Sequence, residues 1–207
     1  MSHPCGTPAL FLLLLLAAGC ASPNADSDGP RAVIWDALPV PKDTDAPPGL
    51  PATLENDELV LRGQTARTRA VYSLPVTVEC DVFAETIAAP EKGGFAISFV
   101  PDGSDAPLGL VMGYDNIGRS SEQRMLAMVK GPDVRHAPVV WGEEPFPLQE
   151  RHWYHLKLEL QGGQTLITIN GKSFPVAGVT VSPKEFHLQL DAWPPAHRWR
   201  VRNLTVR

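Results

Sequence analysis

The stretch Trp153 to Val176, WYHLKLELQGGQTLITINGKSFPV, constrains the fold more than any other. Tyr154, Leu156, Leu158 and Leu160 alternate with His155, Lys157 and Glu159, the period of a half-buried strand. Gly162-Gly163 supply the permissive backbone of a tight turn, after which the chain returns through Leu166-Ile167-Thr168-Ile169. It turns again at Asn170-Gly171 and leaves along Ser173-Phe174-Pro175-Val176. Asn-Gly between two apolar runs is the strongest short-range hairpin signal, because a type I′ turn needs two residues of positive φ. Three consecutive antiparallel strands are predicted, and with them an all-β class.

The same spacing continues on either side. Glu58 to Arg62, Val71-Tyr72, Val76 to Phe83 and Phe95 to Val100 read as strands. So do Leu108 to Met112, Met125 to Val129, Glu185 to Asp191 and Trp199 to Val206. Gln64 to Arg69 reads as a polar connection, and Lys130 to Arg151 as a long loop carrying Trp141. Roughly ten strands separated by Gly, Pro and Asn turns predict a two-sheet antiparallel sandwich or jelly roll, with a closed barrel as the competing arrangement.

Residues 9–18, ALFLLLLLAA, form an apolar run too short to span a bilayer and suited to the core of an export signal. The run ends in Ala17-Ala18-Gly19-Cys20, small residues directly before a cysteine. This pattern resembles the bacterial lipoprotein signal. The resemblance implies cleavage before Cys20, lipidation of that cysteine and stable tethering to a membrane surface. Ala21 after the cysteine suggests sorting to the outer membrane, so the expected location is the cell envelope, on its periplasmic or extracellular side. From Ala21 to Pro51 the composition shifts to Pro, Asp, Ala and Ser, with seven of the 21 prolines, which suits a tether. Ala32 to Trp35 is apolar enough to dock as a terminal strand. The expected organisation is a signal peptide over 1–19, a tether over 20–30 and a sandwich domain over 31–207. With Cys5 removed and Cys20 lipidated, Cys80 is left alone, so no intrachain disulfide is expected. It shares a strand face with Val76, Val78 and Val82, as a buried thiol would.

A net charge of −5 argues against a nucleic-acid partner, which favours a basic face. A 43% hydrophobic content is enough for a sizeable core.

Several pieces carry a further likeness: the opening Glu58-Leu59-Val60-Leu61, the strand VTVECDV, and WYHLKLE with its QGG and ING turns. To these are added FHLQLD and the closing RVRNLTV. Together they resemble concanavalin A-like sandwich domains, and within these the 3-keto-disaccharide hydrolase-like domain of secreted bacterial proteins. The resemblance spans about residues 55–207. It implies a jelly roll of two curved sheets that meets carbohydrate on its concave face or rim, and it implies hydrolysis of such glycosides as an alternative to simple binding.

Candidate contact residues follow from strand geometry. If Phe186, Leu188 and Leu190 face the core, then His187, Gln189 and Asp191 share the opposite face, with Trp193 close behind. Planar polar groups beside aromatic rings are what sugar recognition requires. Tyr114 and Trp141, each on a polar loop, could line the same pocket. A solvated sheet face would show the same polar stripe. Pro101 to Asp105 could offer oxygen ligands to calcium, or be a plain turn; otherwise no cofactor is expected. Glu79, Asp81 and Glu85 approach the paired-carboxylate pattern of glucanases but are out of step with it, which favours ordinary outward carboxylates. His152 and His155 are three apart on a strand and so leave opposite faces, which argues against a metal site. The chain is thus expected to be a monomeric, membrane-anchored carbohydrate-binding protein, with a glycoside hydrolase as the alternative.

Overall fold

The computed structural model describes residues 35–38, 52–86, 93–102, 106–114, 124–134, 136–143, 146, 148–179, 185–193 and 196–207. Fifteen strands occur among them and no helix. In chain order they are β1 (Trp35–Leu38), β2 (Thr53–Glu55), β3 (Glu58–Leu61), β4 (Thr65–Thr68) and β5 (Tyr72–Ser73). Next come β6 (Val76–Thr86), β7 (Gly94–Pro101), β8 (Leu108–Tyr114), β9 (Arg124–Lys130) and β10 (Val139–Glu143). The last five are β11 (His152–Gln161), β12 (Gln164–Ile169), β13 (Lys172–Val176), β14 (Glu185–Trp193) and β15 (Arg198–Val206). One sheet runs β1-β4-β14-β7-β8-β9-β10, with β5 also paired to β14, and the other runs β13-β12-β11-β6-β15-β3-β2. Every pairing is antiparallel. The all-β, two-sheet sandwich expected from strand spacing is what the chain forms.

The meander at 152–176 is the clearest case of sequence dictating structure. Gln161 pairs with Gln164 across Gly162-Gly163, and Ile169 pairs with Lys172 across Asn170-Gly171. Asn170 and Gly171 have φ of 48° and 80°, both positive as a type I′ turn demands. Tyr154, Leu156, Leu158 and Leu160 are buried, and so are their partners Val82, Cys80, Val78 and Val76 on β6.

The core lies between the sheets. Phe95, Ile97 and Phe99 of β7 and Phe186, Leu188 and Leu190 of β14 meet Cys80 and Val82 of β6, Leu156 and Leu158 of β11 and Trp199 of β15 in one cluster. Phe95 stacks on Trp199 with ring centroids 5.4 Å apart, joining a strand of each sheet, and Phe99 meets Phe186 edge-on at 5.2 Å. Burial holds the Cys80 thiol far above its ordinary pKa, helped by the nearby charges of Asp81 and Glu79, so it stays protonated within the core.

Two stretches differ from the sequence reading. Gln64 to Arg69 is not a plain connection: Thr65–Thr68 forms β4, between β1 and β14. Its alternation was concealed because an inward position is a threonine. Thr68 is buried, and its hydroxyl satisfies itself by donating to Ala70 O (3.1 Å) and accepting from Leu188 N (3.0 Å). The Lys130 to Arg151 loop contains β10, which pairs with β9. A short edge strand has few inward positions and leaves little periodic signal. The expected terminal strand over Ala32–Trp35 falls mostly outside the described residues; Trp35–Leu38 pairs with β4. Residues 1–34, Cys20 among them, lie outside the described residues, as do 103–105 of the calcium candidate.

Candidate functional site

On β14 the even positions face inward, so His187, Gln189, Asp191 and Trp193 fall on the outer face of the eight-stranded sheet. The ladders put β4 and β7 on either side. Gln189 lies between Arg67 and Ser98, and Asp191 between Thr65 and Ala96. Directly paired residues share a face, so these side chains meet.

Asp191 is the centre of the group. Its Oδ1 accepts from Thr65 Oγ1 at 2.6 Å and from Gln189 Nε2 at 3.1 Å. Its Oδ2 accepts from Ser98 Oγ at 3.3 Å and again from Gln189 Nε2 at 3.1 Å. The carboxylate is thus oriented from three adjacent strands, while Asp191 remains only 8% exposed. A buried carboxylate is tolerated only when such donors replace its hydration.

His187 is fixed separately. Its Nδ1 stands 2.9 Å from the carbonyl oxygen of Thr68, and a carbonyl can only accept, so Nδ1 carries the proton and donates. Nε2 then points outward, 3.4 Å from Asp102 Oδ1, which also lies 3.7 Å from Arg67 Nη2. The outer face therefore carries a polar strip running from Asp102, Arg67 and His187 through Gln189 to Asp191.

The other half of that face is apolar and covered. Ala96, Val111, Val129, Val134, Ala137 and Trp193 form a second buried cluster, separate from the main core. Val134 and Ala137 belong to the β9–β10 connection, which folds back onto the sheet and is held by Lys130 N→Pro138 O (3.1 Å) and Gly131 N→Pro107 O (3.0 Å). Pro132, His136 and Pro138 are exposed on this connection, and His136 Nδ1 lies 2.9 Å from Asp133 Oδ2. This explains why β7 is buried at nearly every position: it is covered on both faces.

The structure brings His187, Gln189, Asp191 and Trp193 to one face but does not add Trp141. A bulge between Val139 and Trp141 places Trp141 opposite Met128, and its ring packs against the main core. Tyr114 ends β8 opposite Arg124, and its side chain lies outside the described residues. Thr65, Arg67 and Ser98 were missed by sequence reasoning. Ser98 was detectable as the outward position among Phe95, Ile97 and Phe99; Thr65 and Arg67 were not, once β4 was read as a connection.

The outer face of the second sheet is a lattice of ion pairs. Glu85 accepts from Arg198 Nη1 (2.7 Å) and Arg200 Nε (2.8 Å), and Glu58 from Arg200 Nη1 (3.2 Å). Asp81 accepts from Asn203 Nδ2 (2.7 Å) and Arg202 Nε (3.3 Å), with His155 Nδ1 at 2.8 Å. The Arg202 guanidinium covers the Trp153 ring at 3.8 Å from its centroid, and Trp153 packs on Phe83 at 4.9 Å. Desolvation works to raise the pKa of Asp81, but the hydrogen bonds from His155, Asn203 and Arg202 outweigh it and hold the carboxyl below the ordinary range. For Glu85 desolvation is likewise outweighed by Arg200 and Arg198. Glu79, Asp81 and Glu85 are thus outward carboxylates paired with the basic side chains of their own sheet face. His152 and His155 are both exposed and share Asn170, whose Oδ1 accepts from His155 N (2.8 Å) while its Nδ2 lies 3.5 Å from His152 Nε2. Among the described residues no three His, Cys, Asp or Glu side chains are placed to hold a metal ion.

No family model matches the chain, and no curated protein matches it in sequence. Solved structures do share its shape. The carbohydrate-binding module CBM66 from Bacillus subtilis superposes with a TM-score of 0.59 at 16% identity, over 84% of this chain and 94% of that one. The carbohydrate recognition domain of Emp47p gives 0.63 at 12% identity, over 83% and 87%. A putative glycosyl hydrolase from Parabacteroides distasonis gives 0.51 at 12% identity, over 75% and 89%. Likeness at these identities establishes the fold, a concanavalin A-like jelly roll of the kind found in lectin and carbohydrate-binding domains.

Proposed function

We propose that this protein binds carbohydrate on the outer face of its eight-stranded sheet, over β4 and β14, beside the covered β7. The observation that carries the reading is the Asp191 carboxylate, held in one orientation by Thr65, Ser98 and Gln189 on a face that also presents Gln189, His187 and Arg67. Sugar hydroxyls are recognised by rigid planar acceptors and donors of this kind. With its Nε2 committed to Asp191, Gln189 offers Oε1 to a ligand hydroxyl, while Arg67 donates and His187 adds a ring nitrogen beside it. Trp193 closes one end of the strip. Trp141 is left out because it faces the core. The opposite sheet face is a poor competitor, since its charges are paired with one another and its Trp153 ring is covered by Arg202.

The leader extends the proposal: lipidation at Cys20 tethers this domain to the cell envelope, so the ligand is an extracytoplasmic glycan. Mass spectrometry of the mature N-terminus tests this, and an unmodified chain starting at Met1 refutes it.

A second reading is hydrolysis of 3-keto-disaccharides or related glycosides. The groups it would use are His187 and Asp102, whose Nε2 and Oδ1 lie 3.4 Å apart. A glycan-array screen followed by product analysis of every hit separates the two. Retention of intact glycan supports binding, and cleavage supports the hydrolase.

A further inference from the structure

Gly109 sits on the outer face of β8, paired with Ser98 on one side and Val129 on the other. A Cβ placed on it would come within 2.8 Å of Val134 Cγ1 and 3.2 Å of Ser98 Oγ. The first distance is too short to exist, so the β9–β10 connection reaches the sheet at this point only because residue 109 has no side chain. A second glycine does the same at the base of the connection: a Cβ on Gly131 would lie 2.8 Å from Ala137 Cβ. Val134 and Ala137, 6% and 3% exposed, are the feet on which the connection stands. Ser98, the next outward position across the ladder from Gly109, donates to Asp191. Gly109 therefore lies between the apolar seat of the connection and the serine that donates to the polar centre of the carbohydrate site.

We propose that the β9–β10 connection, through Val134 and Ala137, is the side wall of the carbohydrate site and that Gly109 is its specificity-determining position, because Gly109 sets how closely Val134 approaches the sheet beside Ser98. The inference rests on the carbohydrate-binding reading and goes beyond it by naming what limits the ligand's width. Sugars with a bulky substituent or branch on the wall side are rejected by contact with it. Gly109→Ala raises the wall and admits them. Val134→Ala removes one foot without introducing a group beside Ser98, so it separates the position of the wall from any disturbance of the Ser98–Asp191 hydrogen bond.

The test uses full-length protein in a detergent without a sugar headgroup, wild type and both variants. Hydrogen–deuterium exchange is followed over 131–138, and binding is measured to maltotetraose, mannotetraose, galactotetraose and a branched mannopentaose. The wall predicts exchange over 131–138 roughly tenfold faster in Gly109→Ala, with β7 and β14 unchanged. It also predicts that both variants shift the preference between linear and branched probes by about tenfold, the scale of a steric change of one or two methyl groups in a pocket. Unchanged exchange in Gly109→Ala, or wild-type preference retained by both variants, overturns the wall. Wild-type protein that binds none of these four probes and no glycan on the array refutes the carbohydrate reading itself, and the wall falls with it.

Discussion

Thr65 and Asp191 are 126 positions apart in the chain, yet the threonine hydroxyl donates to the aspartate carboxylate over 2.6 Å. The bond ties β4 to β14 on the face proposed to bind carbohydrate, and it does so beside the Ser98 hydroxyl of β7. Replacing Thr65 with Val keeps the shape and removes the donor. A hydrogen bond to a charged group contributes about 1.5–3 kcal/mol, so Thr65→Val is expected to lower unfolding free energy by roughly that amount, while Thr65→Ser retains it. Denaturant unfolding of both variants checks this, and equal losses would contradict the assignment.

Acid should weaken the fold through the second sheet. The folded-state pKa values of Asp81 and Glu85 lie below their ordinary values. Groups depressed in this way stabilise fully above the unfolded-state pKa, near pH 4, and lose that contribution as pH falls through the lower folded-state values. Melting temperature is therefore predicted to fall steeply below about pH 4, and Asp81→Asn with Glu85→Gln to flatten that limb. The flattening must appear only in the acid range, since at neutral pH the double variant is simply less stable.

Trp199 is fully buried and stacks on Phe95 across the two sheets. Truncating it removes the bulkiest of the fully buried side chains described and its stack on Phe95. Trp199→Ala is predicted to cost about 3–5 kcal/mol, with Trp199→Phe keeping much of the stack and losing less. Thermal unfolding of the two variants gives the comparison. A loss below about 1 kcal/mol for Trp199→Ala would show that the sheets are not held together here.

The architecture was legible wherever one strand face is apolar. β6, β11 and β14 alternate in sequence as they do in burial, and Asn170-Gly171 fixed a hairpin by local backbone chemistry alone. Reading stopped where burial and polarity part company. Thr68 is buried but polar, so β4 was hidden, and with it Thr65 and Arg67. Trp141 looked like a loop aromatic because the bulge that turns it inward depends on pairing with β9, a long-range contact that leaves no local mark. The outward stripe of His187, Gln189 and Asp191 followed from period alone, but its convergence on one carboxylate needed the neighbouring strands.

The central claim is that the face carrying Asp191 holds the ligand, and isothermal titration of a glycan found on the array, against wild type, Asp191→Ala and Arg200→Ala, tests it most directly. The account predicts at least about a hundredfold weaker binding for Asp191→Ala, as befits the loss of the charged group that fixes Gln189 on the binding face, and unchanged affinity for Arg200→Ala on the opposite sheet. Undiminished affinity in a folded Asp191→Ala protein, or a loss confined to Arg200→Ala, would contradict it.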